Sequence, residues 1–157
     1  MLEQMFADLH ASNASYDPSF ALLPGWRQMF RADLARMARD GSGSALIAWV
    51  GDTPAGLAVV RVHDEPGPFV HRQWVELSAL YVTPRARRLG VGRTLLEAAE
   101  AWSRVHGYAC VQLFVTRAND AARAFYRSAG FAPIQEVWRS NLRPEGPKSI
   151  PLDKENN

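Results

Sequence analysis

The chain of 157 residues holds one cysteine, Cys110, so an intrachain disulfide is excluded. Its four histidines, His10, His63, His71 and His106, are scattered, with no Cys/His group at metal-ligand spacing, and nothing in the sequence asks for a metal. None has a nucleophile partner, and Ser78 lacks the tight-turn context of a hydrolase serine, which argues against a Ser/His hydrolase. No window approaches the roughly 18 consecutive apolar residues of a membrane span. The opening MLEQMFADLH carries early acids and no long apolar run, unlike a secretory signal. A soluble, cytoplasmic protein without a membrane partner is expected. Lysine is nearly missing: only Lys148 and Lys154 among 18 basic residues, the rest being arginine. With a net charge of +2, nucleic acid is not an expected partner either.

What is present is ordinary globular composition, 47% hydrophobic and 22% charged, in a length suited to one domain spanning 1–157. Leu2, Met5, Phe6 and Leu9 predict a short helix over 1–10, followed by a loop over 11–25. Trp26, Met29, Phe30, Leu34 and Met37 mark a second helix over 25–40. Strands are expected over 45–50 and 55–62, joined as a hairpin by the polar Gly51-Asp52-Thr53-Pro54 turn. The prolines and glycine of 63–72 read as loop. Later come a buried strand over 109–115, opened by a packed Cys110, and a helix capped by Asn119 and Asp120 and ended by Gly130. A strand over 131–142, a turn over 143–147, a short strand over 149–152 and a polar tail complete the chain. Trp26, Trp49, Trp102 and Trp138 are expected in the core or a partial interface. Strands separated by helices give an α/β fold with a mixed sheet.

The stretch from Trp74 to Leu96 is the densest in chemistry. Trp74 to Val82 is apolar except for Glu76 and Ser78, which suggests a strand buried on both faces until Pro84 stops it. Gly90 and Gly92 then stand where a helix begins, carrying the apolar series Val91, Leu95, Ala98, Trp102 and Val105. A helix N-terminus presents unpaired N–H groups and a positive dipole end. Arg85, Arg87, Arg88 and Arg93 add charge with no acid between them, so a phosphate-bearing ligand is expected. No Lys-Ser/Thr pair follows the glycines, as a P-loop would require.

Together, LYVTPRARRLGVGRTLL and NDAARAFYRSAGF resemble the two signature regions of the GNAT superfamily of acyl-CoA-dependent N-acetyltransferases, over about 45–132. The resemblance implies a mixed, splayed central sheet flanked by helices, which can lack the family's first strand. It implies acetyl-CoA as cosubstrate and a primary amine, on a small molecule or a peptide, as acceptor. The family's loop pattern is met by Arg87, Arg88, Leu89, Gly90, Val91 and Gly92, which with Arg93 would hold the pyrophosphate. Family members bulge and splay the preceding strand, freeing backbone groups that map here to Leu80 and Val82. The Leu80 N–H is the candidate oxyanion donor. Glu76 takes the place of the glutamate that some members use as general base. The chemistry needs one, because an amine of pKa about 10 arrives protonated. Tyr126 matches the tyrosine that donates to the departing thiolate, and Asn119 the residue that contacts the pantetheine or phosphate region. Asn119 is a preferred helix N-cap whatever else it does. The resemblance also admits a homodimer. A non-catalytic acyl-CoA-binding module is the alternative, against which the presence of both Glu76 and Tyr126 argues.

Overall fold

The computed structural model describes residues 1–64 and 73–142. Two helices come first, α1 (Leu2–Ala14) and α2 (Trp26–Asp40), with a 3-10 turn, Pro18–Phe20, between them. Strands β1 (Gly43–Val50), β2 (Thr53–Asp64) and β3 (Gln73–Val82) follow. A second 3-10 turn, Pro84–Ala86, leads to α3 (Val91–Val105), then β4 (Val111–Gln112) and α4 (Asp120–Ser128). The four strands form one sheet in the order β1-β2-β3-β4. The first three pair antiparallel, and β4 lies parallel to β3. That parallel pair is possible because α3 carries the chain back across the sheet. The fold is therefore α/β, with a mixed sheet between helices, and no strand precedes α1 among the described residues.

Alternation along β2 sends Leu57 and Val59 to one face and Ala58 and Val60 to the other. The first pair joins Met5 of α1, Phe30 and Met37 of α2, and Ala79 and Tyr81 of β3. The second joins Val75 and Leu77 of β3 with Val91, Leu95, Leu96 and Ala99 of α3. The sheet is thus covered by α1 and α2 on one face and by α3 on the other. The strand buried on both faces is β2, where 55–60 are all buried, whereas β3 alternates buried with half-buried residues. The hairpin is tighter than expected: Val50 pairs with Thr53 across Gly51-Asp52, and Gly51 supplies the positive φ (55°) that such a turn needs.

Several sequence expectations are corrected. Helix α1 runs to Ala14, four residues further than its apolar pattern. The buried stripe of α3 is Val91, Leu95, Leu96, Ala99 and Ser103; Ala98 is exposed, and Val105 is 83% exposed. The strand expected over 109–115 shrinks to Val111–Gln112, with Cys110 exposed instead of packed. No strand forms over 131–142, and Trp49 and Trp138 are exposed. Residues 63 and 64, expected in a loop, belong to β2. The rest of that loop, the turn at 143–147, the strand at 149–152 and the tail lie outside the described residues.

Candidate functional site

The site is organised by one extra residue in β3. Val59 pairs with Ala79 and Val60 with Leu77, so Ser78 has no partner of its own in β2 and the strand bulges there. The consequence is read from backbone hydrogen bonds. The Val75 N–H donates to the Cys110 carbonyl (3.1 Å), towards β4, while the Thr83 N–H donates to the Ala55 carbonyl (2.9 Å), towards β2. Alternating back from Thr83 places the Tyr81 N–H at the β2 edge and the Leu80 and Val82 N–H groups at the opposite edge. Without the bulge, counting from Val75 would have aimed the Leu80 N–H into β2.

Among the described residues, no strand pairs with the edge that Leu80 and Val82 face. Strand β4 pairs with β3 only at Val75 with Val111 and Glu76 with Gln112. Beyond Gln112 the chain leaves the sheet, and Phe114 is 67% exposed. The two strands splay after two pairs, leaving a notch beside Leu80 and Val82.

The notch leads to the start of α3. Gly90, at φ 82°, is the N-cap, and no side chain caps the first turn. A Cβ at Gly90 would meet nothing within 4 Å, so the turn opens on free space, but the φ there favours glycine. Gly92 differs: a Cβ would meet the Phe125 ring at 3.4 Å and Val82 Cγ2 at 3.6 Å, so this glycine faces the packing between α3 and α4. Arg88 holds a left-handed φ of 67°, unusual for a side-chain-bearing residue. Arg87, Arg88 and Leu89 are exposed and Val91 is buried. The arginines do not act alike. Arg87 Nε donates to the Val82 carbonyl (3.4 Å), closing the end of β3, and Arg93 Nη2 donates to the Ser128 carbonyl (2.8 Å), tying α3 to the last turn of α4. Uncapped N–H groups, a positive dipole end and open space fit an anionic group such as a pyrophosphate.

Tyr126 lies on α4, half-buried against Phe125 and Phe131 at ring distances of 5.2 and 5.9 Å. Burial pushes its phenol up to about 12. Asn119 serves as the α4 N-cap, its Oδ1 accepting from the Ala122 N–H at 3.0 Å. Both residues belong to the α3 side of the sheet. Glu76 does not. It sits directly across from Arg61, upstream of the bulge, so its side chain shares the α1/α2 face, while Leu80 sits across from Ala58 on the α3 face. Glu76 makes no hydrogen bond or ion pair among the described residues. Its cross-strand neighbour Arg61 is engaged elsewhere, donating from Nε to Ser78 Oγ (3.0 Å) and ion-pairing with Asp33 of α2.

Sequence reasoning missed Asp33, Arg61 and the role of Ser78. The available signal was a charged residue inside the apolar AVVRV run, of the kind that singled out Glu76. Among the described residues no group of His, Cys, Asp and Glu could hold a metal ion, and no helix is long and apolar enough to cross a membrane.

Comparison with known proteins follows the same lines. The profile of the acetyltransferase (GNAT) family matches residues 6–131. Mycothiol acetyltransferase of Paenarthrobacter aurescens is 34% identical over 117 residues, 72% of this chain and 36% of the relative. The chain thus spans about a third of the length of that curated relative. Aminoglycoside N(6')-acetyltransferase type 1 of Stenotrophomonas maltophilia is 33% identical over 118 residues, 71% of this chain and 76% of the relative. The solved structure of AAC(6')-Iy with a CoA-S-monomethyl-acetylneamine bisubstrate analogue superposes with a TM-score of 0.66 at 22% identity, covering 78% of this chain and 84% of that one. At that identity the likeness is one of fold.

Proposed function

The chain belongs to the acetyltransferase (GNAT) family, and from that premise we propose that it transfers the acetyl group of acetyl-CoA to a primary amine, by direct attack in a ternary complex. The observation that carries this reading is the Ser78 bulge, which turns the Leu80 and Val82 N–H groups to an unpaired sheet edge next to an uncapped helix terminus. The α3 terminus, with Gly90, Val91 and Gly92 and the flanking Arg87, Arg88, Leu89 and Arg93, takes the pyrophosphate. Asn119 borders the pantetheine. The thioester lies in the notch, where acetyl-CoA supplies an activated acyl group and a thiolate leaving group.

The Leu80 N–H stabilises the oxyanion, charge that develops only in the transition state, which for such a donor is worth about 3 kcal/mol. Glu76, on the other face, accepts the ammonium proton directly or through water. The notch runs through the sheet, so the amine approaches from the α1/α2 side and the cosubstrate from the α3 side. Proximity supplies much of the rate. Tyr126 faces the leaving sulfur as a hydrogen-bond donor. At a pKa of about 12 it stays protonated at neutral pH. A thiolate of ordinary pKa, about 8.5, is too weak a base to remove that proton in full, so the phenol donates a hydrogen bond, and the thiolate takes up the proton that the attacking nitrogen sheds as the C–N bond forms and the C–S bond breaks.

The acceptor is a small-molecule amine in this reading, on the strength of the aminoglycoside-acetylating relative. The chain acts as one domain in the cytoplasm. Homodimerisation is a separate proposal, decided by light scattering. The function is tested by acetyl-CoA calorimetry and free-thiol release over a panel of amines, aminoglycosides first, with mass detection of the added acetyl group. Binding without turnover across the panel would favour the non-catalytic acyl-CoA-binding module.

A further inference from the structure

Arg61 and Glu76 stand directly opposite each other in the β2/β3 ladder, on the face covered by α1 and α2. Opposed residues in such a ladder have Cβ atoms about 5 Å apart, and an arginine and a glutamate placed so would ordinarily pair. They do not pair here. Asp33 reaches down from α2 and takes the Arg61 guanidinium, which also donates to Ser78 Oγ (3.0 Å), and that hydroxyl donates to the Val59 carbonyl (3.2 Å). Asp33 is itself steadied by Arg36 Nη2 (2.7 Å), while Nη1 of the same guanidinium donates to Asp40 and Ser42. The two acids and two arginines sum to zero charge. The guanidinium is thereby committed to the bulge.

We infer that Asp33 is a positioning residue for the transfer reaction, holding Arg61 on the Ser78 bulge and off the Glu76 carboxylate. It does two things at once. It fixes the extra residue that aims the Leu80 N–H into the notch, and it leaves Glu76 unpaired. A guanidinium released from Asp33 would claim the carboxylate, weaken it as a base and occupy the place where an ammonium must approach. The other groups on this face do not replace it. His63 of β2 stacks on Trp74 at 4.0 Å, Asp8 of α1 accepts from Tyr81 Oη at 3.3 Å, and Gln112 of β4, beside Glu76, is neutral.

The catalytic consequence rests on Glu76 as the base, but the geometry is testable without turnover. The carboxyl carbon of Glu76, assigned by its loss in Glu76→Gln, is followed by NMR through a pH titration of the full chain. In Asp33→Asn its midpoint moves acidward by about one pH unit or more, the effect of a newly adjacent cation. Adding Arg61→Gln to Asp33→Asn returns it to the wild-type position. Arg61→Gln alone leaves the midpoint where it was and speeds hydrogen exchange at the Ala79 and Tyr81 amides, which face β2. An unmoved midpoint in Asp33→Asn overturns the inference. If Asp33→Asn does not fold, Arg61→Gln alone decides: a midpoint shifted upward would mean that Arg61 already pairs with Glu76. Failure of the base assignment shows separately, as an acid limb of the pH–rate profile that Glu76→Gln leaves unchanged.

Discussion

The two edges of β3 are used in opposite ways. Along one, the strand pairs with β2 over its whole length, with only the Ser78 bulge interrupting the ladder. Along the other, pairing with β4 among the described residues covers only Val75 and Glu76, and the Leu80 and Val82 amides face the notch beyond. The same strand is structural on one side and, in the proposed mechanism, chemical on the other. A backbone N–H can serve stability or a ligand, and alternation decides which residue does which.

The sharpest way to break this comparison is a pair of prolines. Leu80→Pro removes an amide from the open edge, and turnover should fall by about 100-fold or more, with only a modest loss of thermal stability. Tyr81→Pro removes one from the paired edge along with a buried ring, and should lower the melting temperature far more. Equal losses of stability, measured by circular dichroism, would mean that the Leu80 N–H belongs to the ladder. Replacing Leu80 by isoleucine keeps the amide and should be mild. Next in size is Gly90→Glu, which forces a side chain into a left-handed φ and sets a negative charge at the helix terminus. The acetyl-CoA dissociation constant should rise about tenfold or more by calorimetry.

Tyr126→Phe, in the proposed role of a donor to the leaving sulfur, should lower kcat about 10- to 100-fold while leaving acetyl-CoA affinity unchanged, since only that donor is lost. Weakened binding with normal turnover would remove the assignment. The same variant tests the phenol's environment. Its folded pKa of about 12 lies above the ordinary value of 10, so the folded state keeps a proton that the unfolded state releases. Stability from this group is complete below pH 10 and is lost as pH rises towards 12. Denaturation midpoints of the wild type should fall relative to Tyr126→Phe in that window. Smallest of all is Gly92→Ala. Its Cβ would meet Phe125 at ordinary contact distance, and alanine favours the helix by about 1 kcal/mol, so stability should hold or rise and affinity change little.

The sheet's first three strands and all four helices were legible because each carries its own period and punctuation. Gly41, Gly90, Gly107 and Gly130 stop or start helices by local rules, and the apolar runs of β2 and β3 declare themselves. The phase of α3 was harder. Ala98 and Ala99 are equally apolar in sequence, and only packing against Leu77 and Val75 selects Ala99. The stretch after Phe131 reads as strand because Ile134, Val137, Trp138 and Leu142 suit one, yet strand propensity expresses packing against neighbours. Here Trp138 is 85% and Leu142 89% exposed, and no described strand lies beside them. The bulge was expected only by resemblance. Its register and the Asp33–Arg61–Ser78 contacts depend on residues 17 to 45 positions apart, which no local pattern encodes.

The Ser78 bulge also works as a parity rule. A relative aligned to this chain with a one-residue gap at that point would present the opposite set of amides to the notch, however well its glycine turn and its tyrosine matched. A gap of that size barely alters a percentage identity. Counting residues between Glu76 and Leu80, rather than scoring the motifs around them, therefore sorts chains that turn the Leu80 amide to the notch from chains that only share the scaffold. A deletion of Ser78 balanced by an insertion before Pro84 would invert the strand's output while keeping its length.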